Sequence, residues 1–257
     1  MSIFFAFILG LIQGLCEFLP ISSSGHLMIA EALLGITENN EFFNVLLHLA
    51  TLLSVVIIFR KDLWEIIKNP RKKVFWLIVV STMVTCAIVV ILKLIISELF
   101  ALTFLGFGFL FSATIIIVAS RVKKPAYNFD LSNITFGQAL MIGCFQGFAV
   151  LPGISRSAST VSSGEIMGIN RETSLRFSFL LSVPVIIASM VYELVSCSFV
   201  APHIDFPVAL VGGLTAFISS LLSIKFMLML ARKKSWIGFA VYLTILSIAV
   251  LIFTFAF

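Results

Sequence analysis

The chain has 257 residues, 60% of them hydrophobic and 11% charged, with a mean hydropathy of +1.17. A soluble domain of this length cannot hide that much apolar surface, so the composition excludes one and predicts an integral membrane protein. The net charge of +5 is no nucleic-acid signature, because the basic residues stand in short stretches between apolar segments.

In chain order, the first apolar region, about 3–35, is broken by Pro20-Ile-Ser-Ser-Ser-Gly25. It lacks the basic start of a cleaved signal and is read as part of the mature fold. It is too long for one crossing and too polar midway to face lipid. A helix, a polar loop and a second helix entering and leaving on one side are expected, because broken backbone at membrane depth must be surrounded by protein or water. Spans follow at about 44–59, 74–96 and 101–120. A second broken region, about 136–168, carries Pro152-Gly-Ile-Ser-Arg-Ser157, and spans at about 175–197, 207–230 and 236–257 complete the chain. The expected fold is all-α: six transmembrane helices plus two re-entrant helix-loop-helix hairpins, in one membrane domain over 1–257.

Charge orients it. Residues 60–73 hold Arg60, Lys61, Lys68, Arg71, Lys72 and Lys73, and 121–135 hold Arg121, Lys123 and Lys124. Arg171 lies in 169–174, and Arg232, Lys233 and Lys234 in 231–235. The alternate loops at 36–43, 97–100 and 198–206 have no Lys or Arg but hold Glu38, Glu41, Glu98 and Asp205. The basic set is therefore expected to be cytoplasmic. Each half, 1–120 and 136–257, then crosses an odd number of times, the second half is inverted, and both termini lie outside. Lys93 and Lys225 are expected to snorkel from helix ends, and Arg176 to pair with a Glu. Cys16, Cys86, Cys144 and Cys197 show no metal or disulfide spacing and are expected to be free thiols.

The two broken regions repeat one another. Gly10 matches Gly143, Gln13 matches Gln146, Gly14 matches Gly147, and Ser22, Ser23 and Ser24 match Ser155, Arg156 and Ser157. In an inverted repeat such loops meet near the bilayer midplane. Gln13 and Glu17 share a helix face, and a carboxylate at that depth needs a partner, a metal or a task. The serines precede new helices, where free N–H groups and the helix dipole favour an anion. Plain N-capping is the structural alternative. Gly25 and Gly153 would let the backbone approach a ligand, and the Arg156 guanidinium matches phosphate oxygens. His26, one turn from Ser22, is expected near Glu17, Ser23 and Arg156, either as a general acid or base or to orient a hydroxyl. His48 is read as packing or as a more distant support, and His203 as an outer-loop residue.

Gln13-Gly-Leu-Cys-Glu17, followed by Phe-Leu-Pro-Ile-Ser-Ser-Ser-Gly-His26, resembles the first motif of the undecaprenyl-diphosphate phosphatase family of the bacitracin-resistance type. Pro152-Gly-Ile-Ser-Arg-Ser-Ala-Ser-Thr160 resembles its second. The resemblance spans the chain and implies a multi-pass enzyme of the bacterial inner membrane, reached from the outer face. Such an enzyme removes the terminal phosphate of undecaprenyl diphosphate, recycles the lipid carrier of peptidoglycan synthesis and confers bacitracin resistance. It also implies a divalent cation, Mg2+ or Ca2+, on Glu17 and Gln13. Glu17, Ser23, His26 and Arg156 would be catalytic, and Gln13, Ser22, Ser24, Gly25, Gly153, Ser155, Ser157 and Thr160 substrate-binding. Ala158 departs from the glycine common in the family, and Gln13 stands where the family has Glu or Gln. Ser23 and an activated water both remain open as nucleophile. Expected partners are the polyprenyl diphosphate and membrane lipids, not nucleic acid, and a homodimer is an admissible assembly. A polyprenyl-phosphate transporter or flippase is the alternative, since inverted repeats with broken helices also build transporters. A phosphatase of the acid-phosphatase-like type would want a second His six residues after Arg156, where Ser162 stands.

Overall fold

A computed structural model of the chain describes residues 1–36, 41–95, 104–122, 130–196, 205–232 and 235–256. Glu38, Glu98, Lys123, Lys124, Cys197, His203, Lys233 and Lys234 lie outside the described residues.

The described residues form eleven α-helices: α1 (Ile3–Cys16), α2 (Ser23–Leu33), α3 (Glu41–Ile58), α4 (Arg60–Lys68), α5 (Lys73–Ile95), α6 (Leu105–Arg121), α7 (Phe136–Phe148), α8 (Arg156–Ile166), α9 (Arg171–Ser196), α10 (Phe206–Ala231) and α11 (Ile237–Ala256). Both broken regions are broken where the prolines and serines stand. α1 ends before Phe18-Leu-Pro20, and α7 before Leu151-Pro-Gly153. Proline removes a donor and disfavours helix in the residue before it, and Ser22 and Ser155 then cap α2 and α8.

α5, α9, α10 and α11 are long and apolar enough to cross a membrane. The α3–α4 pair, bent by 80° at Phe59, would be a fifth, while α1 and α6 are shorter apolar helices. Two expectations need correction. Residues 60–73 are not simply a basic loop. Most of them form α4, with Trp64 and Ile67 exposed and Leu63 and Ile66 packed inward. Arg171 is not a loop charge either. α9 begins there, and the side chain is buried, with Nε 2.9 Å from Glu165 and its guanidinium 4.9 Å from the Trp236 ring centroid.

Helix packing relates the two repeat units. α1 packs on α10 and α7 packs on α5. Both contacts are glycine seams: a Cβ at Gly10 would stand 2.4 Å from the Gly212 carbonyl oxygen, and one at Gly143 2.6 Å from that of Ser81. Backbones that close interlock without side chains, which is how helices associate where lipid offers no hydrophobic drive. Hydroxyls reinforce the seams: Thr85 donates to the Gly143 carbonyl at 3.0 Å, and Ser223 to that of Leu15 at 2.8 Å. Pro184 sits inside α9 without ending it. Large apolar side chains such as Ile245 and Phe253 point outward from α11, as a lipid-facing helix requires.

Candidate active site

The two breaks touch. Ser157 Oγ, in the first turn of α8, donates to the Leu19 carbonyl in the first break at 2.8 Å. Beside that tie, the Arg156 guanidinium pairs with Oε1 of Glu17, the residue after α1. The carboxylate is almost wholly buried. An ion that deep is stable only if its partners replace the water it lost. Besides Arg156, Glu17 Oε2 accepts from Gln13 Nε2 at 3.0 Å and from Ser23 Oγ at 2.6 Å. One carboxylate thus joins the base of α1, the first residue of α2 and the first residue of α8.

Arg156 occupies the N-terminal turn of α8, where the helix dipole already presents positive potential. Cation and dipole there oppose each other and reinforce attraction for an anion. The guanidinium has a spare donor: Nη1 is buried and has no hydrogen-bond partner among the described residues.

Glu17, Ser22, Ser23, Ser24, Ser155 and Arg156 form the polar end of a cavity of about 350 Å³. Its walls are apolar, Val89 and Val90 of α5 facing Val185 and Ile186 of α9, and Lys93 and Tyr192 also line it. Lys93 Nζ stands 3.8 Å above the Tyr192 ring, so it is part of the cavity lining and not only a snorkelling residue. A polar end joined to an apolar trough suits a ligand with an anionic head and a hydrocarbon tail.

Other expected site residues point elsewhere. The His26 ring makes its hydrogen bonds to the Ser22 carbonyl, 2.7 Å from Nδ1, and to the Tyr242 hydroxyl, 2.6 Å from Nε2. It does not line the cavity, so the expected cluster with Glu17, Ser23 and Arg156 is not formed. Thr160 Oγ1 donates to the Arg156 carbonyl at 2.9 Å and lies 2.6 Å from Ser178 Oγ, turned into the core against α9. Ser157 is spent on Leu19. Gly25 and Gly153 serve α6: added Cβ atoms would strike the Phe109 ring at 2.6 Å and the Leu105 carbonyl oxygen at 2.2 Å. Gln13 is buried behind Glu17, which it supports. Arg176 pairs with Asp62 at 2.9 Å, not with a Glu.

Of the two roles open to His48, packing and a more distant support, the structure shows the second. His48 of α3 lines the cavity, with Nδ1 2.9 Å from Gln13 Nε2 and 3.7 Å from Glu17 Oε2. The signal was a histidine inside an apolar span, where polar side chains face the protein interior.

For a divalent cation the donors are hard oxygens: the Glu17 carboxylate and the Gln13 carboxamide oxygen, buried and without a hydrogen-bond partner among the described residues. No group of three His, Cys, Asp or Glu is found among those residues. That set fits a cation held by one carboxylate and shared with substrate phosphates, the usual arrangement for magnesium.

The family profile described as bacitracin resistance protein BacA matches residues 6–249. The chain is 40% identical to a protein of Carboxydothermus hydrogenoformans named undecaprenyl-diphosphatase, over 98% of this chain and 97% of that one. Proteins of the same name from Christiangramia forsetii and Methanosphaera stadtmanae are 35% and 36% identical, over 100% of both chains and 98% of both chains respectively.

Proposed function

The chain belongs to the bacitracin resistance protein BacA family, and we infer from that membership and its site that it is an undecaprenyl-diphosphatase. It hydrolyses undecaprenyl diphosphate to the monophosphate and inorganic phosphate, the step that returns the lipid carrier to peptidoglycan synthesis and underlies bacitracin resistance. The transporter alternative is not favoured: relatives matched end to end carry the diphosphatase name.

The observation that carries the mechanism is the shared carboxylate. Ser23 Oγ lies 2.6 Å from Glu17 Oε2, with Arg156 on Oε1. The diphosphate enters the polar end of the cavity while the isoprenoid chain lies along Val89, Val90, Val185 and Ile186. Arg156 Nη1 and the start of α8 take the phosphate oxygens, and Ser22, Ser24 and Ser155 add donors. Glu17 accepts the Ser23 proton as Oγ bonds to the terminal phosphorus. The bond from that phosphorus to the bridging oxygen breaks, and undecaprenyl phosphate departs. Glu17 gives that proton up to the departing phosphate, takes one from the water that cleaves the phosphoserine, and returns it to Oγ, which releases inorganic phosphate and restores the hydroxyl. Most of the acceleration is charge neutralisation and alignment. Glu17 and Gln13 would hold a Mg2+ or Ca2+ ion, which would neutralise charge on the bridging and terminal oxygens. Gln13 and His48 fix the carboxylate's orientation.

The inverted topology belongs to the same proposal. Residues 1–120 and 136–257 each supply one re-entrant hairpin and three spans, with both termini outside and the cavity open to the outer face of the inner membrane. The matching α1–α10 and α7–α5 seams support it. Phosphate release from undecaprenyl diphosphate by the purified protein, with and without a chelator, tests the whole reading. Release abolished by chelation and restored by Mg2+ or Ca2+ is expected; absence of release under any cation would overturn it.

A further inference from the structure

We propose that His26 and Tyr242 act together as a positioning clamp, locking the backbone that presents Ser23 to Glu17. The proposal rests on the reading of this site as the diphosphatase centre.

Ser22 is the one non-glycine residue with positive φ among the described residues, at φ 69° and ψ 100°. A side chain is strained there, and the conformation persists only where surrounding contacts over-determine it. Those contacts come from His26. The Ser22 carbonyl accepts from the backbone N–H of His26 at 3.3 Å and from ring Nδ1 at 2.7 Å.

The ring is itself held on three sides. Tyr242 lies stacked on it at 5.7 Å between centroids, with its hydroxyl 2.6 Å from Nε2. Phe109 meets it edge-on at 5.6 Å.

Chemistry fixes the tautomer. A carbonyl only accepts, so Nδ1 carries the hydrogen, and in the neutral ring Nε2 accepts from the Tyr242 hydroxyl. Both nitrogens are therefore spent on the scaffold, and neither faces the phosphate cavity. His26 acts through Ser22: the locked turn sets the start of α2 and brings Ser23 Oγ to 2.6 Å from Glu17 Oε2. Tyr242, on α11 near the far end of the chain, becomes a positioning residue for a nucleophile 219 residues away in sequence.

Tyr242→Phe tests this, since it removes the hydroxyl and keeps the stacked ring. In the whole purified protein, kcat for phosphate release is expected to fall by about tenfold, the loss that follows one aligning hydrogen bond. KM and the thermal midpoint should stay near the parent values. The same substitution in a Ser22→Gly background should cost less than about twofold in kcat, because glycine reaches positive φ without a Cβ penalty and needs no clamp. Parental kcat in Tyr242→Phe overturns the proposal, and so does an equal loss in both backgrounds, or a lowered thermal midpoint with kcat unchanged. The parent protein and its Glu17→Gln variant run alongside. Absent or Glu17-independent phosphate release there would sink the reading of the site, whereas failure of the Tyr242 comparison alone sinks only the clamp.

Discussion

The Arg156 guanidinium closes on the Glu17 carboxylate and so joins the two broken regions. The residues that would correspond to them by the repeat, Ser23 and Val150, are uncharged. The two motifs are alike in sequence but contribute unlike charges, and one charge from each makes an asymmetric site. Removing either partner leaves the other buried and uncompensated, which costs about 3–5 kcal/mol for an enclosed pair.

Glu17→Gln and Arg156→Ala should each lower kcat/KM by about a hundredfold to a thousandfold or more, as expected when a base or a phosphate-neutralising donor is lost. Because the two side chains are partners in one buried ion pair, and each single variant strands the other charge, the double variant should be far less impaired than the product of the two losses. Arg156→Lys should not restore activity, since an ammonium cannot keep one nitrogen on Glu17 and offer another, Nη1, to phosphate. Steady-state kinetics on the four proteins checks this; simple multiplication of the losses would separate Glu17 from Arg156 functionally.

Ser23→Ala removes the hydroxyl that donates to Glu17, and activity should fall to near background. Rapid quenching of the parent enzyme with substrate labelled in the terminal phosphate should leave label on Ser23. Full turnover in Ser23→Ala would transfer the attack to a water held by Glu17.

Gly143→Ala places a methyl group 2.6 Å from the Ser81 carbonyl oxygen, against backbone that cannot give way locally. The α5–α7 seam must open and the Thr85 bond to the Gly143 carbonyl lengthen. A loss of about 1–3 kcal/mol is expected, the usual cost of overpacking, seen as a lower thermal midpoint in detergent. Gly137→Ala on the same helix meets nothing closer than 4.0 Å and should cost nothing.

Lys93→Met keeps an unbranched apolar stem and removes the ammonium that stands over the Tyr192 ring, and with it the charge in the cavity lining. Thr85 and Lys93 both line the cavity, and eight residues of α5 separate them by about 12 Å. Lys93 should therefore help capture the diphosphate without touching the reacting atoms. KM should rise by about threefold to tenfold, and the salt dependence of kcat/KM should weaken. A fall in kcat with unchanged KM would place Lys93 at the chemistry instead.

Sequence alone determined the membrane class, the two broken regions, their repetition, and the residues in which the copies differ. It could do so because those properties are local. Hydropathy, proline and serine act within a turn or two of chain, and an unexplained carboxylate such as Glu17 in apolar sequence is costly wherever it lies. Which side chains meet was decided by tertiary structure. The place of His26 near Ser23 in the chain leaves both proton transfer and the orienting of a hydroxyl open, and α6 and α11 decide between them by supplying Phe109 and Tyr242, which draw its ring away from the cavity. For His48 the sequence leaves packing and a more distant support both open, and α3 decides for support by setting it beside Gln13. Asp62 claimed Arg176 because the 80° bend at Phe59 carries α4 back toward α9. Gly25 and Gly153, legible as glycines beside a helix start, also admit α6, a packing role that no local pattern announces. A residue's type states what it can do; its partner depends on the azimuth and crossing of helices distant in sequence, which are set by the packing of glycine seams and buried side chains.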